Sequence, residues 1–517
     1  MTQSYRICLL PLDERPVNTR YPQMLAAIAG VDLRLPPREI QGLGRTPADV
    51  EAVREWLAAE APHGQGAIVS CEFLGYGNLI NARISQDSAA DVICRLSVLE
   101  RIDPFCPVHA FSLITRVANA DDCVEEPLYW LQWGTRFYRF ARLTHRAENG
   151  DLSDEETSQL VTLSAELPAD LKADWLNRRL RNHTVNLALM DMVARERLTS
   201  LLITSDDTSA YGFPSRERDW MKGWQALVGQ SLATRLSMYP GADEVGSALV
   251  AKLVSSRDGR TPRVWIDYAI HEDSSLIAPY EDRAIRETVE GQIHGCGCAL
   301  ASSPDTADFV LGVATVSPRR TDWRPEFLEE DRSSRTEAYI AFLERLALYQ
   351  SSGQPVALAD VAYPNGSDPL LAELMLTDGH KLDLAGLIAF GAWNTAGNTL
   401  GVVVAQAVCA LSHPEARHSE QQKLFLTHRY LEDYAYQSSI RREARAFAQE
   451  QYGRRDPDPE SDEQVNGVSA FIEAALHKHL AQLQERGVGI GVEIVEGSTR
   501  LPWRRTFEVD FELTIKA

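Results

Sequence analysis

Short apolar runs rich in Val, Ile and Leu recur along the chain, and each is followed by a polar or glycine-containing cluster and then by a helical stretch. Nearly continuous apolar strands with helices between them are typical of a mostly parallel sheet that is buried on both faces. The runs lie at residues 6–12, 31–35, 67–71, 108–115, 200–204, 233–239, 263–268, 309–314, 355–359 and 387–390. The sequence therefore predicts an α/β fold.

The spacing of these runs suggests how the strands are arranged. Six precede residue 250 and two follow residue 350, while the interval between them has the pattern of a compact β-α-β unit. The economical interpretation is a parallel (β/α)8-type barrel that carries a small Rossmann-like insertion at 258–318. The alternative is two or three consecutive doubly wound domains. Both arrangements place functional residues at the carboxyl ends of the strands.

The barrel interpretation gives a domain prediction in four parts. Residues 1–257 form the first part of a β/α catalytic domain, 258–318 the Rossmann-like α/β insertion, and 319–412 the remainder of the β/α domain. Residues 413–517 form a helical C-terminal region. That region ends in a β-hairpin, because apolar and polar residues alternate there with the period of a half-exposed strand.

Charge and composition narrow the class of partner. The net charge is -21, which disfavours binding to nucleic acid because phosphate contacts need a basic surface. There is no apolar run of about 18 residues, so we predict no membrane span. The N-terminus lacks the features of a signal peptide, and the eight cysteines are scattered in the manner of free thiols. We therefore predict a cytoplasmic protein, and the sequence leaves a homo-oligomer open.

Polar clusters follow most of the predicted strands, and the pair Asp206-Asp207 is the most pronounced of them. A single Asp after a strand usually caps the next helix. A whole edge of such clusters is harder to explain in that way, because crowded carboxylates without partners cost stability. We interpret this edge as a functional site.

The chemistry predicted for the site is acid/base hydrolysis. Crowding raises the pKa of one carboxyl group, which keeps a general acid protonated near neutral pH. Asp206 and Asp207 are the leading candidates, and Asp243 or Glu244 would supply the second carboxylate that glycoside hydrolysis requires. Alternatively, Asp243 and Glu244 simply open the following helix, where acids favour the first turn.

The predicted function is that of a hydrolase acting on a small carbohydrate-like substrate without a cofactor. Aromatic side chains would pack against sugar faces, while amide, guanidinium and carboxylate groups would bind hydroxyls. The predicted substrate contacts are Asp13, Arg15, Asn18, Arg116, Tyr211, Asp360, Asn365, Trp393, Asn394 and Asn398.

Two other functions fit the same residues. Asp13, Asp206 and Asp360 could bind Mg²⁺ or Mn²⁺ through oxygen ligands, which would suit a phosphoryl or sugar-phosphate hydrolase. A non-catalytic sugar-binding protein would use the same aromatic residues but has no need for crowded acids.

Six strings in order resemble the hallmark sequences of a bacterial family, the domain of unknown function 4127. They are PLDERPVN at 11–18, PPREI at 36–40, SDD at 205–207 with YG at 211–212, YPGADEVG at 239–246, WNTAGNTLG at 393–401 and LPWRRTFE at 501–508. The chain departs from the expected pattern at 207–210, and also at Cys71-Glu72, so Glu72 is not taken as a site residue. The resemblance implies one continuous family unit and brings no established activity.

Overall fold

A computed structural model describes residues 5–102, 105–227, 234–377 and 381–516 of the chain. The chain forms two compact units. The first unit consists of Met1–Glu14, Val31–Leu249 and Tyr280–Arg283. The second unit consists of Arg15–Gly30, Val250–Pro279 and Ala284–Ala517.

The first unit contains a six-stranded parallel sheet with the order β2-β1-β3-β4-β5-β6. Its strands are β1 (Arg6–Leu10), β2 (Asp32–Arg34), β3 (Ala67–Ser70), β4 (Val108–Ile114), β5 (Ser200–Ser205) and β6 (Leu236–Pro240). Every residue of β4 and β5 is buried. Each fully buried Val, Leu or Ile side chain contributes about 1.5–3 kcal/mol, which explains why these strands are largely apolar on both faces.

The helices of the first unit connect the strands of this sheet. After α1 (Arg20–Ile28), which belongs to the second unit, the helices are α2 (Val50–Glu60), α3 (Cys71–Tyr76), α4 (Leu79–Ile84), α5 (Ala89–Leu96), α6 (Trp130–Glu148), α7 (Asp154–Glu166), α8 (Ala169–Ala194) and α9 (Phe213–Leu227). Helix α10 (Val245–Arg257) begins in the first unit and ends in the second. In the ladder, Ile114 pairs with Ser205 and Ser205 with Pro240, so β4, β5 and β6 end at the same level.

The second unit contains a five-stranded parallel sheet with the order β11-β10-β9-β7-β8. Its strands are β7 (Arg263–Tyr268), β8 (Ala299–Leu300), β9 (Phe309–Ala314), β10 (Val356–Asp360) and β11 (Ala389–Gly391). A separate antiparallel pair joins β12 (Val492–Ile494) to β13 (Leu513–Ile515).

The helices that follow α10 in the second unit include one with an unusual winding. The α-helices are α11 (Ile285–Gly295), α12 (Leu328–Ser351), α13 (Pro369–Met375), α14 (Ala396–Ala410), α15 (Glu420–Arg429), α16 (Arg441–Tyr452) and α17 (Asp462–Glu485). A π-helix, Tyr430–Ile440, joins α15 to α16. Helix α14 is buried at all of its positions, as expected for a helix that is apolar on every side.

The two sheets have the same internal order. In each, the second strand lies outside the first, and the third, fourth and fifth follow on the other side of the first, which is a doubly wound arrangement. The predicted α/β class is confirmed. A closed eight-stranded barrel is not confirmed, because the described strands pair in two separate sheets. The strands of the predicted insertion, β7 to β9, share their sheet with β10 and β11.

Candidate functional site

Two aspartates follow the last residue of β5 directly. The backbone N–H of Asp206 donates to the carbonyl oxygen of Ile114 at 3.2 Å, so the pairing with β4 continues one residue beyond the strand. Asp207 then adopts a φ of +34°, a left-handed conformation that is uncommon for a residue other than glycine. Strained backbone of this kind clusters at functional sites, which makes the turn at Asp207 a candidate.

Six charged side chains meet at the carboxyl ends of β4 and β5 in what we call the acid–arginine network. Its members are Arg83, Arg116, Glu125, Glu126, Asp206 and Asp207. Four carboxyl groups share two guanidinium groups, so the network carries an excess of negative charge when all its acids are ionised. Such an excess favours protonation of one carboxyl group.

Arg83, at the end of α4, connects two of the acids. Its Nη2 lies 2.5 Å from Asp206 Oδ2, and its Nη1 lies 2.9 Å from Glu125 Oε2. The guanidinium group is almost fully buried, and charge-assisted hydrogen bonds of this kind are the stronger ones in proteins. Arg83 therefore fixes Asp206 against the loop that precedes α6.

Arg116 contacts the other side of the network. Its Nη1 lies 2.8 Å from Asp207 Oδ2 and its Nη2 lies 3.1 Å from Glu125 Oε2. Its Nε donates to Glu126 Oε1 at 2.9 Å. One guanidinium group thus holds three carboxyl groups, and Glu125 Oε2 is contacted by both arginines of the network.

Asp207 is the most accessible carboxyl group of the network. Its side chain is 31% exposed, compared with 7% for Asp206 and 6% for Glu126. The pKa of Asp207 is raised, first because its surroundings are desolvated and then because Asp206 places a second negative charge beside it. Burial also raises the pKa of Glu126. A carboxyl group that is accessible and holds its proton can act as a general acid.

A buried arginine on α8 holds the backbone next to the network. The guanidinium group of Arg179 donates to the carbonyl oxygen of Thr115 from Nη1 at 3.1 Å and from Nη2 at 3.0 Å. The same group forms a two-point ion pair with Glu217, at 2.6 Å from Nε and 2.8 Å from Nη2. These bonds fix the backbone at Thr115 and therefore help to position Arg116, the next residue.

A buried carboxylate holds the chain that follows Asp207. Thr208 donates its backbone N–H to the carbonyl oxygen of Tyr280 at 3.0 Å, and its hydroxyl donates to Asp282 Oδ2 at 3.3 Å. Asp282 is in turn paired with Arg218 and with Arg283. The turn at Asp207 is therefore anchored on its C-terminal side.

The predicted second carboxylates lie at the end of β6, the strand next to β5. Glu244 is fully buried, and its Oε2 accepts a hydrogen bond from the backbone N–H of Ala242 at 2.9 Å. Gly241 has a φ of +149°, and a Cβ there would lie 2.0 Å from Glu244 Oε1. Glu244 thus closes the turn that leads into α10. Asp243 is also buried, and the catalytic roles of both residues stay predictions.

The other predicted residues of the first unit occupy different environments. Asp13 follows β1 and is fully buried. Tyr211 is half-buried, with its ring edge-on to His145 at 5.7 Å and the guanidinium carbon of Arg146 at 5.8 Å from its centroid. Arg116 is the predicted substrate contact that the structure brings together with Asp206 and Asp207.

Arg15 and Asn18 belong to the second unit and are buried there. The guanidinium carbon of Arg15 lies 4.6 Å from the ring centroid of Trp503, and Arg15 Nη1 lies 3.7 Å from Glu508 Oε1. The backbone N–H of Asn18 donates to the carbonyl oxygen of Arg15 at 3.0 Å. Two of the family strings thus meet within one unit, at the contact of Arg15 with Trp503 and Glu508.

Asp360 terminates β10 and is fully buried. Its Oδ1 accepts from the backbone N–H of Ala362 at 3.1 Å, and its Oδ2 accepts from that of Asp368 at 2.7 Å. Burial raises the pKa of Asp360 to about 7. The carboxyl group closes the loop between β10 and α13, and its predicted contact with substrate stays a prediction.

The string that follows β11 is mostly buried. Trp393 is 2% exposed, so its ring lies in the protein interior, and its backbone carbonyl accepts from Thr399 Oγ1 at 2.8 Å. Asn394 is half-buried, with a φ of +57°, and Asn398 is buried in the first turn of α14. Asn365 joins this region by donating its backbone N–H to the carbonyl oxygen of Asn394 at 2.9 Å.

A fully buried charged group holds the π-helix in the second unit. Arg429 Nη2 lies 2.6 Å from Glu432 Oε2, and Arg429 Nη1 lies 2.8 Å from Asp433 Oδ1. The Tyr21 hydroxyl donates to Glu432, and the backbone N–H of Ala392 donates to Asp433 Oδ2 at 2.8 Å. Burial raises the pKa of Asp433 to about 7. Each of these charges has a close partner, so the group is primarily structural.

Arg83, Glu125 and Glu126 are not among the site residues predicted from the sequence. Arg83 ends a short helix, and Glu125-Glu126 lie in the long connection between β4 and α6. The adjacent acids before Pro127 were the one signal, and it is a weak one, because acidic pairs in loops are usually solvated.

The described part of the chain contains no group of three or more His, Cys, Asp and Glu side chains that could hold a metal ion. None of the helices described is long and apolar enough to cross a membrane.

The fold and the site define a mixed α/β protein with two parallel sheets and a network of carboxyl and guanidinium groups at the carboxyl edge of the first. The chain belongs to the family described as "Protein of unknown function (DUF4127)", whose sequence profile matches residues 7–512. No curated protein matches the chain in sequence.

Among solved structures, the chain has a distant similarity to a mutant of the glycoside hydrolase family 5 mannosidase from Rhizomucor miehei. The identity is 11%, and the alignment covers 74% of this chain and 95% of that one. The TM-score is 0.18, so this similarity carries no argument about fold or function.

Proposed function

We propose that this protein is a hydrolase that acts on a carbohydrate-like substrate by carboxyl acid/base catalysis at the acid–arginine network. The observation that carries the proposal is the environment of Asp207. Its carboxyl group is accessible, its pKa is raised, and other carboxyl groups lie around the same arginines. This combination suits a proton donor to the leaving oxygen of an acetal.

Glu125 is the best partner for Asp207 in this mechanism. Both guanidinium groups of the network contact Glu125 Oε2, which favours its charged form. Asp207 and Glu125 also share the guanidinium group of Arg116, so their carboxyl groups lie near each other. A protonated and a charged carboxyl group are the pair that glycosidases use as acid and as base or nucleophile. Glu125 thus replaces Asp243 and Glu244 as our preferred second carboxylate.

The proposal is tested by assaying the purified protein against a panel of aryl glycosides and oligosaccharides, with aryl phosphates in parallel. We expect glycoside hydrolysis that survives treatment with a chelator. Hydrolysis of phosphates alone, lost on chelation, would instead support the metal-dependent alternative. Thermal shifts by sugars without any turnover would support the binding-protein alternative.

The role of Asp207 is tested by Asp207→Asn beside a matched control, Asp191→Asn. Asp191, near the end of α8, forms an exposed ion pair at 2.7 Å with Arg195, so its variant removes a similar contact outside the network. We expect Asp207→Asn to lose about 10²–10⁴-fold in kcat while Asp191→Asn retains the parent rate. Equal activities in the two variants would refute the proposal.

A further inference from the structure

A large basic cavity lies in the second unit, beyond the carboxyl end of β10. Its volume is about 1010 Å³, and its walls are the loop 322–325, the loop 364–369 and the face of α16 with the preceding turn of the π-helix. The carboxyl side of a parallel strand is where open α/β sheets usually bind ligands.

The walls of this cavity have a charge opposite to that of the whole chain. The chain carries a net charge of -21, whereas the described residues that line the cavity include five arginines and a single acid, Asp322. The arginines are Arg324, Arg441, Arg442, Arg445 and Arg455. Concentrated positive charge in a concave surface attracts anions, because the low-dielectric walls focus the field.

The central arginines have few negative partners. Within the described part of the chain, Arg441, Arg442 and Arg455 have no carboxylate within ion-pair distance. Arg445 Nη2 lies 3.9 Å from Asp456 Oδ2, a distance at the limit of an ion pair. Burial, reinforced by the charge of Arg445, lowers the pKa of Arg441 to about 10. Among the described residues, no carboxylate therefore pairs closely with these three cations of the cavity.

Donor groups in the cavity walls also lack acceptors among the residues that the structure describes. Arg441 Nη1 donates to Gln437 Oε1 at 2.9 Å, but the buried Nε of Arg441 has no partner among them. The hydroxyl of Ser367, a residue that is only 5% exposed, and the indole Nε1 of Trp323 are likewise buried without a partner in the described part of the chain. Buried donors without acceptors are costly, and a bound anion would satisfy them.

The loop 364–369 is held by contacts with the π-helix and with the loop 322–325. Gly366 has a φ of +133°, and a Cβ there would lie 2.9 Å from Gln437 Cβ, so the loop approaches the helix closely. Asn365 Nδ2 donates to Asp322 Oδ1 at 2.9 Å, and Ser438 Oγ donates to the carbonyl oxygen of Ser367 at 2.9 Å. These bonds fix the position of the loop, and a fixed loop has less conformational entropy to lose when a ligand binds.

We propose that this cavity is a binding site for a small organic phosphate. The guanidinium groups suit a phosphate, because its several oxygens can accept hydrogen bonds from more than one guanidinium group. A carboxylate has only two oxygens. The volume is large enough for an organic group besides the phosphate. Trp323, with Arg442 at 5.7 Å from its ring, offers an aromatic face for that group. The cavity belongs to the second unit and the acid–arginine network to the first, and this proposal does not depend on the proposed function.

The test is calorimetric titration of the full-length protein with glucose 6-phosphate and pyrophosphate, with glucose and citrate as comparison ligands. We expect glucose 6-phosphate and pyrophosphate to bind, glucose not to bind, and added salt to weaken binding. A preference for citrate would overturn the assignment to phosphate. Tighter binding of a short DNA duplex, which displaces pyrophosphate, would overturn the assignment to a small ligand.

Substitution of arginines in the cavity tests whether the ligand binds there. Arg442 and Arg455 are exposed, so the double variant Arg442→Gln with Arg455→Gln retains the fold, which thermal unfolding checks. The control is Arg454→Gln, next in sequence, whose side chain pairs with Asp458 at 2.7 Å and does not line the cavity. We expect the double variant to bind pyrophosphate at least about tenfold more weakly and the control to match the parent. Unchanged affinity in the double variant, or no binding to the parent at millimolar ligand, would refute the proposal.

Discussion

Arg116 Nη1 lies 2.8 Å from Asp207 Oδ2, and this one ion pair ties the end of β4 to the turn after β5. Arg116 also contacts Glu125 and Glu126, so its removal takes a positive charge away from three carboxyl groups. We expect Arg116→Gln to lower the free energy of unfolding by about 1–3 kcal/mol, as measured by urea denaturation.

The control for this measurement is Arg195→Gln. Arg195 also contacts two carboxylates, at 2.7 Å for Asp191 and 2.9 Å for Glu100, but on an exposed surface. Such surface pairs contribute about 0–1 kcal/mol. Equal losses in the two variants would mean that the acid–arginine network contributes no more than a surface ion pair.

Arg116→Gln should also change the pH dependence of activity. Arg116 lowers the pKa of Asp207, opposing burial and the Asp206 charge, so its loss raises that pKa further. If Asp207 must hold its proton to act, the alkaline limb of the pH–rate profile reports its pKa. We expect Arg116→Gln to move this limb to higher pH. A shift to lower pH would contradict the assignment of Asp207 as the acid.

Glu72 provides a test of buried charge away from the site. Its Oε1 accepts from the backbone N–H of Leu113 at 2.8 Å and from Ser112 Oγ at 2.9 Å, and burial raises its pKa to about 7. A carboxyl group with a raised pKa favours the fold while protonated, so its stabilisation is lost as pH rises from about 4.5 towards 7. We expect Glu72→Gln to gain stability relative to the parent across this range, by on the order of 3 kcal/mol.

The measurement is the free energy of unfolding of the parent and Glu72→Gln at pH 5, 6, 7 and 8. The control is Glu373→Gln, because Glu373 is exposed and its ion pair with Arg332 lowers its pKa. The difference between this control and the parent should be constant over the same pH range. A constant difference for Glu72→Gln as well would show that Glu72 is charged in the fold.

Substitution of Gly366 tests the close approach of the loop 364–369 to the π-helix, which shapes the basic cavity. Gly366→Ala introduces a Cβ 2.9 Å from Gln437 Cβ at a φ of +133°. The control Gly453→Ala also has a positive φ, +69°, but nothing lies within 4 Å of its added Cβ. We expect Gly453→Ala to lose about 1 kcal/mol from backbone strain and Gly366→Ala to lose about 2–4 kcal/mol, from strain and the contact together. Similar losses would mean that the loop does not press on the helix.

The sequence was most informative where one local pattern has one structural meaning. Apolar runs such as that of β4 and β5 predicted buried parallel strands, and the acids after β5 predicted a polar edge, where Asp207 and Arg116 do meet. The same runs could not specify how strands pair, because a strand buried on both faces looks alike in a barrel and in an open sheet. The apolar pattern therefore left two arrangements open, and the two separate sheets agree with the alternative of consecutive doubly wound domains rather than with the barrel.

The residues that contact Asp207 were harder to predict from the sequence. Glu125 lies some 80 positions from Asp207 in sequence and reaches it only through Arg116. Trp393 shows a different ambiguity, because an aromatic residue after a strand has the same pattern whether it faces a ligand or the interior. In the structure Trp393 is 2% exposed. Contacts between distant loops depend on tertiary packing, which local patterns do not encode.

The most direct test of Asp207 as the proton donor is a comparison of leaving groups. A general acid matters most when the leaving oxygen is basic, and little when it departs without a proton. For Asp207→Asn we predict a loss of about 10²–10⁴-fold in kcat/KM on an alkyl or unsubstituted phenyl glycoside, and a much smaller loss on a dinitrophenyl glycoside of the same sugar. Equal losses on the two substrates would contradict the account, because Asp207 would then not protonate the leaving group.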